Sequence, residues 1–175
     1  MIVGPFTESG LTFTYDDTRT FRPDEDALVR SLSHIKAADF VSLHNGEAEM
    51  LFVVEMKSSA PIITNDTDLP DFLQNLHEKL INSILLLVAD IHGRQKLASI
   101  PTLVRGVATL RKKVRFVLLL SKFKAEWCPP LQDELRKKMN HVLKSYAHAE
   151  LFVVSLALAH QAGWFNTKTL NITAQ

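Results

Sequence analysis

A single cysteine, Cys128, stands in 175 residues, so no intrachain disulfide can form and no thiolate cluster is available for a structural metal. A reducing, cytoplasmic setting is expected. No apolar run approaches the roughly 20 residues of a membrane span, and Met1 to Gly10 carries neither a basic leader nor a signal-length apolar stretch. Neither membrane insertion nor secretion is expected. The tripeptides Asn65-Asp66-Thr67 and Asn171-Ile172-Thr173 match the glycosylation pattern, but without export they read as ordinary loop and tail residues. The glycines form no phosphate-cradling loop, which argues against a nucleotide triphosphatase. The seven histidines include no His-x-x-x-His pair, so zinc is not expected, and His44 and His77 read as surface residues. Cys128 has no neighbouring base and is not expected to act as a nucleophile.

What is present is a chain of 46% hydrophobic residues, enough for one domain over residues 1–175 with a full core. Its net charge of +1 hides two halves of opposite sign. Residues 1–90 hold 6 Lys and Arg against 15 Asp and Glu, whereas residues 91–175 hold 14 against 4. Packed together, an acidic region suited to cations would lie beside a basic region suited to phosphates. The basic half includes Arg94, Lys96 and Arg105, then Arg111, Lys112, Lys113 and Arg115, which could hold a nucleic-acid backbone or simply face solvent. Arg136, Lys137 and Lys138 read as the solvated face of a helix.

Hydropathy spacing predicts an α/β fold. Leu11 to Tyr15 alternates like a strand, and Asp24-Glu25-Asp26 after Pro23 opens a helix reaching about His34. Phe40 to His44 and Met50 to Met56 flank Asn45-Gly46-Glu47, the signal of a β-hairpin. Both parities of the second run are apolar, which places it centrally in its sheet. Asp68 suits an N-cap, and Phe72, Leu76, Leu80, Ile84, Leu87 and Ile91 give a long helix ending near Gly93. Val114 to Leu120, Leu131 to Tyr146 and Leu151 to Leu158 then read as strand, helix and strand, a parallel β-α-β unit with a right-handed crossover.

The hairpin carries the chemistry. If its turn is centred on Glu47, facing residues have numbers that sum to about 94, and Asp39 lies across from Glu55. Two carboxylates about 4.5 to 5.5 Å apart at Cβ repel unless a cation lies between them, and a hard divalent ion with oxygen ligands resolves the conflict. Lys57, two residues beyond Glu55, shares its face of the strand. Such a site suits phosphodiester hydrolysis: the metal polarises phosphate and acidifies water, the lysine orients that water or neutralises charge, and the Met56 carbonyl could add a ligand. The competing reading is a partly buried salt bridge between Lys57 and its acidic neighbours.

Asp39-Phe40-Val41 and Phe52-Val53-Val54-Glu55-Met56-Lys57-Ser58-Ser59-Ala60-Pro61 together resemble the PD-(D/E)xK nuclease superfamily. With His77-Glu78-Lys79 and Asn82-Ser83 on the following helix, they also resemble a group of small bacterial proteins of that superfamily. The resemblance covers residues 24–94 by motif and the rest by element order. It implies a restriction-endonuclease-like core, a central mixed β-sheet flanked by helices, built as helix, three-stranded meander, helix and further strands. It also implies Asp39 and Glu55 as ligands of Mg2+, with Mn2+ as a substitute, and Lys57 as base or water-orienting residue.

The superfamily's first helix often adds an acid, for which Glu25 is the candidate, with Asp24 and Asp26 close behind. Ala38 stands where a proline often precedes the aspartate. The strand usual between first helix and aspartate strand is missing unless Leu11 to Tyr15 replaces it. Gln74, Lys79 and Ser83 are secondary candidates on the long helix. The expectation is a DNA endonuclease in restriction or defence. The alternatives are a nuclease-fold binding or assembly subunit that needs a partner protein, and a structural module dimerising through the Phe72–Ile91 helix.

Overall fold

The computed structural model describes residues 1–44, 50–64, 67–107, 113–146 and 149–174. Strands β1 (Ile2–Glu8) and β2 (Leu11–Asp16) pair antiparallel around a two-residue turn. Ser9 and Gly10 both adopt positive φ there (52° and 73°), the conformation that matches a tight turn to the twist of its strands. At Gly10 a side chain would be strained by the positive φ, although its Cβ would meet the Ser121 hydroxyl only at an ordinary contact distance of 3.4 Å. β3 (Thr20–Phe21) follows, then a 3-10 turn over Pro23–Glu25 and a short helix α1 (Ala27–Ser31).

The helix expected from Asp24 to His34 is therefore broken. The Asp26 carboxylate caps α1 by accepting from the Leu28 N–H, which makes Asp26 the boundary of a helix rather than part of its first turn.

β4 (Phe40–His44) and β5 (Met50–Lys57) form the antiparallel pair expected from the sequence, although the turn itself lies outside the described residues. Next come α2 (Leu69–Ile91), with Asp68 at its N-cap position, α3 (Thr102–Val107) and β6 (Lys113–Leu120). α4 (Cys128–Ser145) carries Pro129 and Pro130 in its first turn, where the missing N–H groups cost nothing. β7 (Ala149–Ser155) then gives way to α5 (Leu156–Gln161). The apolar run to Leu158 does not continue as strand, because the Ser155 hydroxyl accepts from the Leu158 N–H and starts a helix.

β8 (Leu170–Ala174) pairs with β2. Asn171-Ile172-Thr173 is thus a strand with Ile172 fully buried, rather than a tail, while Asn65 and Asp66 lie outside the described residues.

The strands make a three-stranded antiparallel sheet, β1-β2-β8, and a five-stranded mixed sheet, β3-β4-β5-β6-β7. In the larger sheet β5 is central, and β5, β6 and β7 run parallel to one another. The strand beside β4 is β3, which precedes α1; Leu11 to Tyr15 joins the smaller sheet instead.

Period-two alternation along β5 sends its residues to two cores. Leu51 and Val53 pack with Leu76, Leu80 and Leu87 of α2 and with Leu131, Leu135 and Met139 of α4. Phe52, Val54 and Met56 meet Leu11, Phe13 and Ile172 of the smaller sheet, along with Phe165 and Ala159. The result is a mixed α/β structure whose five-stranded sheet has α2 and α4 on one face and the smaller sheet with α5 on the other. Each leucine buried this way contributes about 2 kcal/mol. The apolar stripe of α2 is used inside the chain, and among the described residues no helix is long and apolar enough to cross a membrane.

The outer edge of β7 is covered by α4. Gln132 Oε1 accepts from the Val153 N–H at 2.9 Å, and Arg136 reaches the Leu151 carbonyl at 3.5 Å. Arg136 thus has a partner on the sheet edge that its neighbours Lys137 and Lys138 do not share by position, and it helps block strand addition. Arg105 is tied to Asp90, and Arg115 pairs with Glu150 while lying over the Phe52, Phe152 and Trp164 rings. Arg111 and Lys112 lie outside the described residues.

Two histidines differ from the surface placement expected of them. His77 is half-buried and packs on His141 of α4, with ring centroids 5.4 Å apart. His44 is buried between Phe52 and Phe165 with Nε2 unpartnered, and burial, helped by Arg115, pushes its pKa down to about 4. Below the ordinary imidazole value near 6.5, the unfolded chain takes a proton that the folded one refuses, so this group removes stability as pH falls from 6.5 towards 4. His44→Phe removes that loss. Its melting temperature relative to wild type is expected to rise between pH 7.5 and pH 4.5 by several degrees; a constant difference across that range would contradict the assignment.

Candidate metal centre

The site begins where β4 ends. The last ladder pair is Phe40 with Val54, and every pair from there to His44 with Met50 sums to the expected 94. Extending the register by one residue puts Asp39 opposite Glu55, beyond the ladder. The Met56 N–H and carbonyl point towards this vacated edge of β5, because both groups of one residue face the same neighbour. Asp39 Oδ2 takes the place of a strand and accepts from the Met56 N–H at 2.5 Å. The Ser9 hydroxyl donates to the Met56 carbonyl at 3.3 Å, and the Ser121 hydroxyl donates to the Ser9 carbonyl at 2.7 Å. The β1–β2 turn is thereby fastened over the C-terminal ends of β5 and β6, the end of a parallel sheet where ligands commonly bind.

α2 holds the segment from its other side. Ser83 Oγ accepts from the Ala38 N–H and donates to the Lys79 carbonyl, both at 2.8 Å, which fixes Asp39 relative to the helix. Asp39 is 3% exposed and Glu55 is fully buried. Glu55 Oε1 accepts from Lys57 at 2.8 Å and from Lys79 at 2.6 Å, whereas Glu55 Oε2 is buried without a partner among the described residues. A buried carboxylate oxygen with no donor costs free energy unless something else satisfies it.

The acid that the Pro23–Glu25 turn brings beside Asp39 is Asp24, the runner-up, rather than Glu25. Carboxylate oxygens of Glu8, Asp24 and Asp39 lie within 4.8 Å of one another. Glu25 is 52% exposed and pairs with Arg22 and Arg30, so Asp24 stands in the position sought for Glu25. The 3-10 turn is the cause: three acids that one α-helical turn would have fanned out are given separate tasks, with Asp26 capping α1 and bonding Ser99. Arg22 lies over the Phe6, Phe13 and Phe40 rings and contacts Glu8 at 3.5 Å and Asp24 at 3.4 Å. Gln74 is directed along α2 to Glu78 at 2.8 Å, and no contact brings it to the carboxylates.

The electrostatics follow from this crowding. Burial, with the Glu55 charge adding to it, raises the Asp39 pKa to about 8, although the Met56 N–H pulls the other way. Asp24 rises to about 6, again through burial, with Arg22 opposing and Glu8 reinforcing the shift. For Lys79 burial acts downward, but the Glu55 carboxylate outweighs it and the pKa is raised. The site therefore holds carboxylates under mutual repulsion beside two ammonium groups. Its donor set is all oxygen, the chemistry that hard divalent ions prefer.

Lys79 was a secondary candidate and Glu8 no candidate at all. Glu8 ends a strand of the other sheet and has no motif partner in sequence; only its acidic type marked it. No protein-family model, curated protein or solved structure matches this chain.

Proposed function

We propose that the protein is a metal-dependent nuclease of the PD-(D/E)xK type with a restriction-endonuclease-like core, hydrolysing phosphodiester bonds in DNA as an endonuclease of restriction or defence. The observation that carries this reading is the pair of buried carboxylates, Asp39 just before β4 and Glu55 on β5, with an oxygen on Glu55 that has no partner among the described residues and Lys57 two residues along the same face. A salt bridge alone accounts for Glu55 Oε1; it does not account for Oε2 or for Asp39.

Asp39, Glu55 and the Met56 carbonyl would hold Mg2+ or Mn2+, with Asp24 and Glu8 beside them in place of Glu25. A divalent ion there supplies Lewis-acid polarisation of phosphate and lowers the pKa of its water. Lys57, 37% exposed, is the ammonium that can turn from Glu55 to the scissile phosphate or the attacking water. Lys79 is more enclosed and keeps one positive charge on Glu55 throughout.

The test is incubation of purified protein with single-stranded, plasmid and linear DNA in magnesium, manganese or chelator, cleavage of any one of them counting. Cleavage in either metal and none in chelator is expected. Activity indifferent to chelator, or equal in wild type and Lys57→Ala, overturns the reading.

A further inference from the structure

Beside the carboxylates, the end of β5 and the first turns of α2 border a recess of about 240 Å3 lined by Lys57, Phe72, Asn75, Leu76 and Lys79. Phe72 is half-buried against the helix-side core and supplies apolar surface, while Leu76 is buried behind it. Asn75 is exposed at its border. The residues that line the recess include two ammonium groups and no carboxylate, with both lysines resting on Glu55 Oε1. An aromatic wall beside two ammonium groups is complementary to a nucleotide: a base against Phe72, and its phosphate on the lysines.

A phosphate held by Lys57 would also sit next to Glu55, which ties the recess to the reaction centre. A base can enter only after leaving its stack and its pairing partner. We propose that this recess receives an unpaired base adjoining the scissile phosphate, and that the substrate is single-stranded DNA. This rests on the nuclease reading above and adds strandedness to it.

Two variants test the recess without removing either lysine. Asn75→Trp fills it from an exposed helical position, and Phe72→Leu removes the ring while keeping an apolar wall. Binding of a labelled oligonucleotide, as single strand and as complete duplex, is measured by fluorescence anisotropy with Ca2+ replacing Mg2+ to hold back turnover. Manganese calorimetry and a circular-dichroism melt report on the metal site and the fold. Wild type is expected to bind the single strand about tenfold more tightly than the duplex. Asn75→Trp is expected to lose about that factor for the single strand, and Phe72→Leu a smaller one, with duplex affinity and manganese binding unchanged in both and melting lowered only in Phe72→Leu, whose ring packs on the core. Equal affinity for strand and duplex, or single-strand binding insensitive to Asn75→Trp, overturns the proposal. If magnesium-dependent cleavage persists in that case, the nuclease reading survives without the recess. If binding behaves as expected but neither substrate is cut, the recess stands and the nuclease reading falls.

Discussion

Asp39→Asn is expected to make the metal-free protein more stable at pH 8 and to abolish the stabilisation that Mg2+ or Mn2+ brings to wild type. The sign follows from linkage. With a folded pKa of about 8 against an ordinary value of 3.8, Asp39 keeps a proton in the folded chain that the unfolded chain releases. Wild-type stability therefore falls as pH rises from about 4 to about 8, by up to about 1.4 kcal/mol per pH unit while one proton separates the states. The variant lacks this slope, so the two proteins converge near pH 4 and differ most at pH 8.

Metal binding needs the ionised carboxylate, so the gain in wild-type melting temperature on adding metal should grow between pH 6 and pH 8. At a hundred times its dissociation constant, a ligand adds about 2.7 kcal/mol. Calorimetric melts at three pH values, with and without manganese, contain both tests. A variant that is less stable than wild type at pH 8, or that still gains from manganese, would sink the assignment of Asp39.

The second large effect separates two lysines that touch the same oxygen. Lys57→Met is expected to lower turnover by about 10²–10⁴-fold, the usual scale for a positioned proton-transfer or charge-stabilising group, while leaving manganese affinity nearly intact. Lys79→Met is expected to act first on the fold. Glu55 is fully buried, and breaking a buried pair by removing one partner costs about 3–5 kcal/mol. Lys79 is 24% exposed and Lys57 remains, so the lower end applies. Lys79→Arg should recover most of that stability, because a guanidinium still satisfies the carboxylate. Denaturant melts and single-turnover cleavage distinguish the two roles. Equal losses of stability in both methionine variants, with equal residual cleavage, would refute the division of labour.

The central hairpin was legible because both of its determinants are local. A side-chain period of two and a polar break between apolar runs fix the register from His44–Met50 to Phe40–Val54, and Asp39 opposite Glu55 follows by extension. α2 was legible for the same reason, since leucines at helical spacing need only a sheet to cover. The ends of elements were harder to read. A cap at Asp26 or Ser155 stops a pattern that hydropathy alone would continue, and a buried His44 is indistinguishable in sequence from an exposed one.

The sequence by itself determined the register of the central hairpin, the extent of α2 to within a few residues and the placing of Glu55 and Lys57 on one face of β5. Only the tertiary structure decided that Asp24 and Glu8, rather than Glu25, stand beside Asp39, and that Lys79 closes on Glu55. The physical reason is separation along the chain: these groups come from different layers, and no local periodicity records which charges two packed layers will bring together.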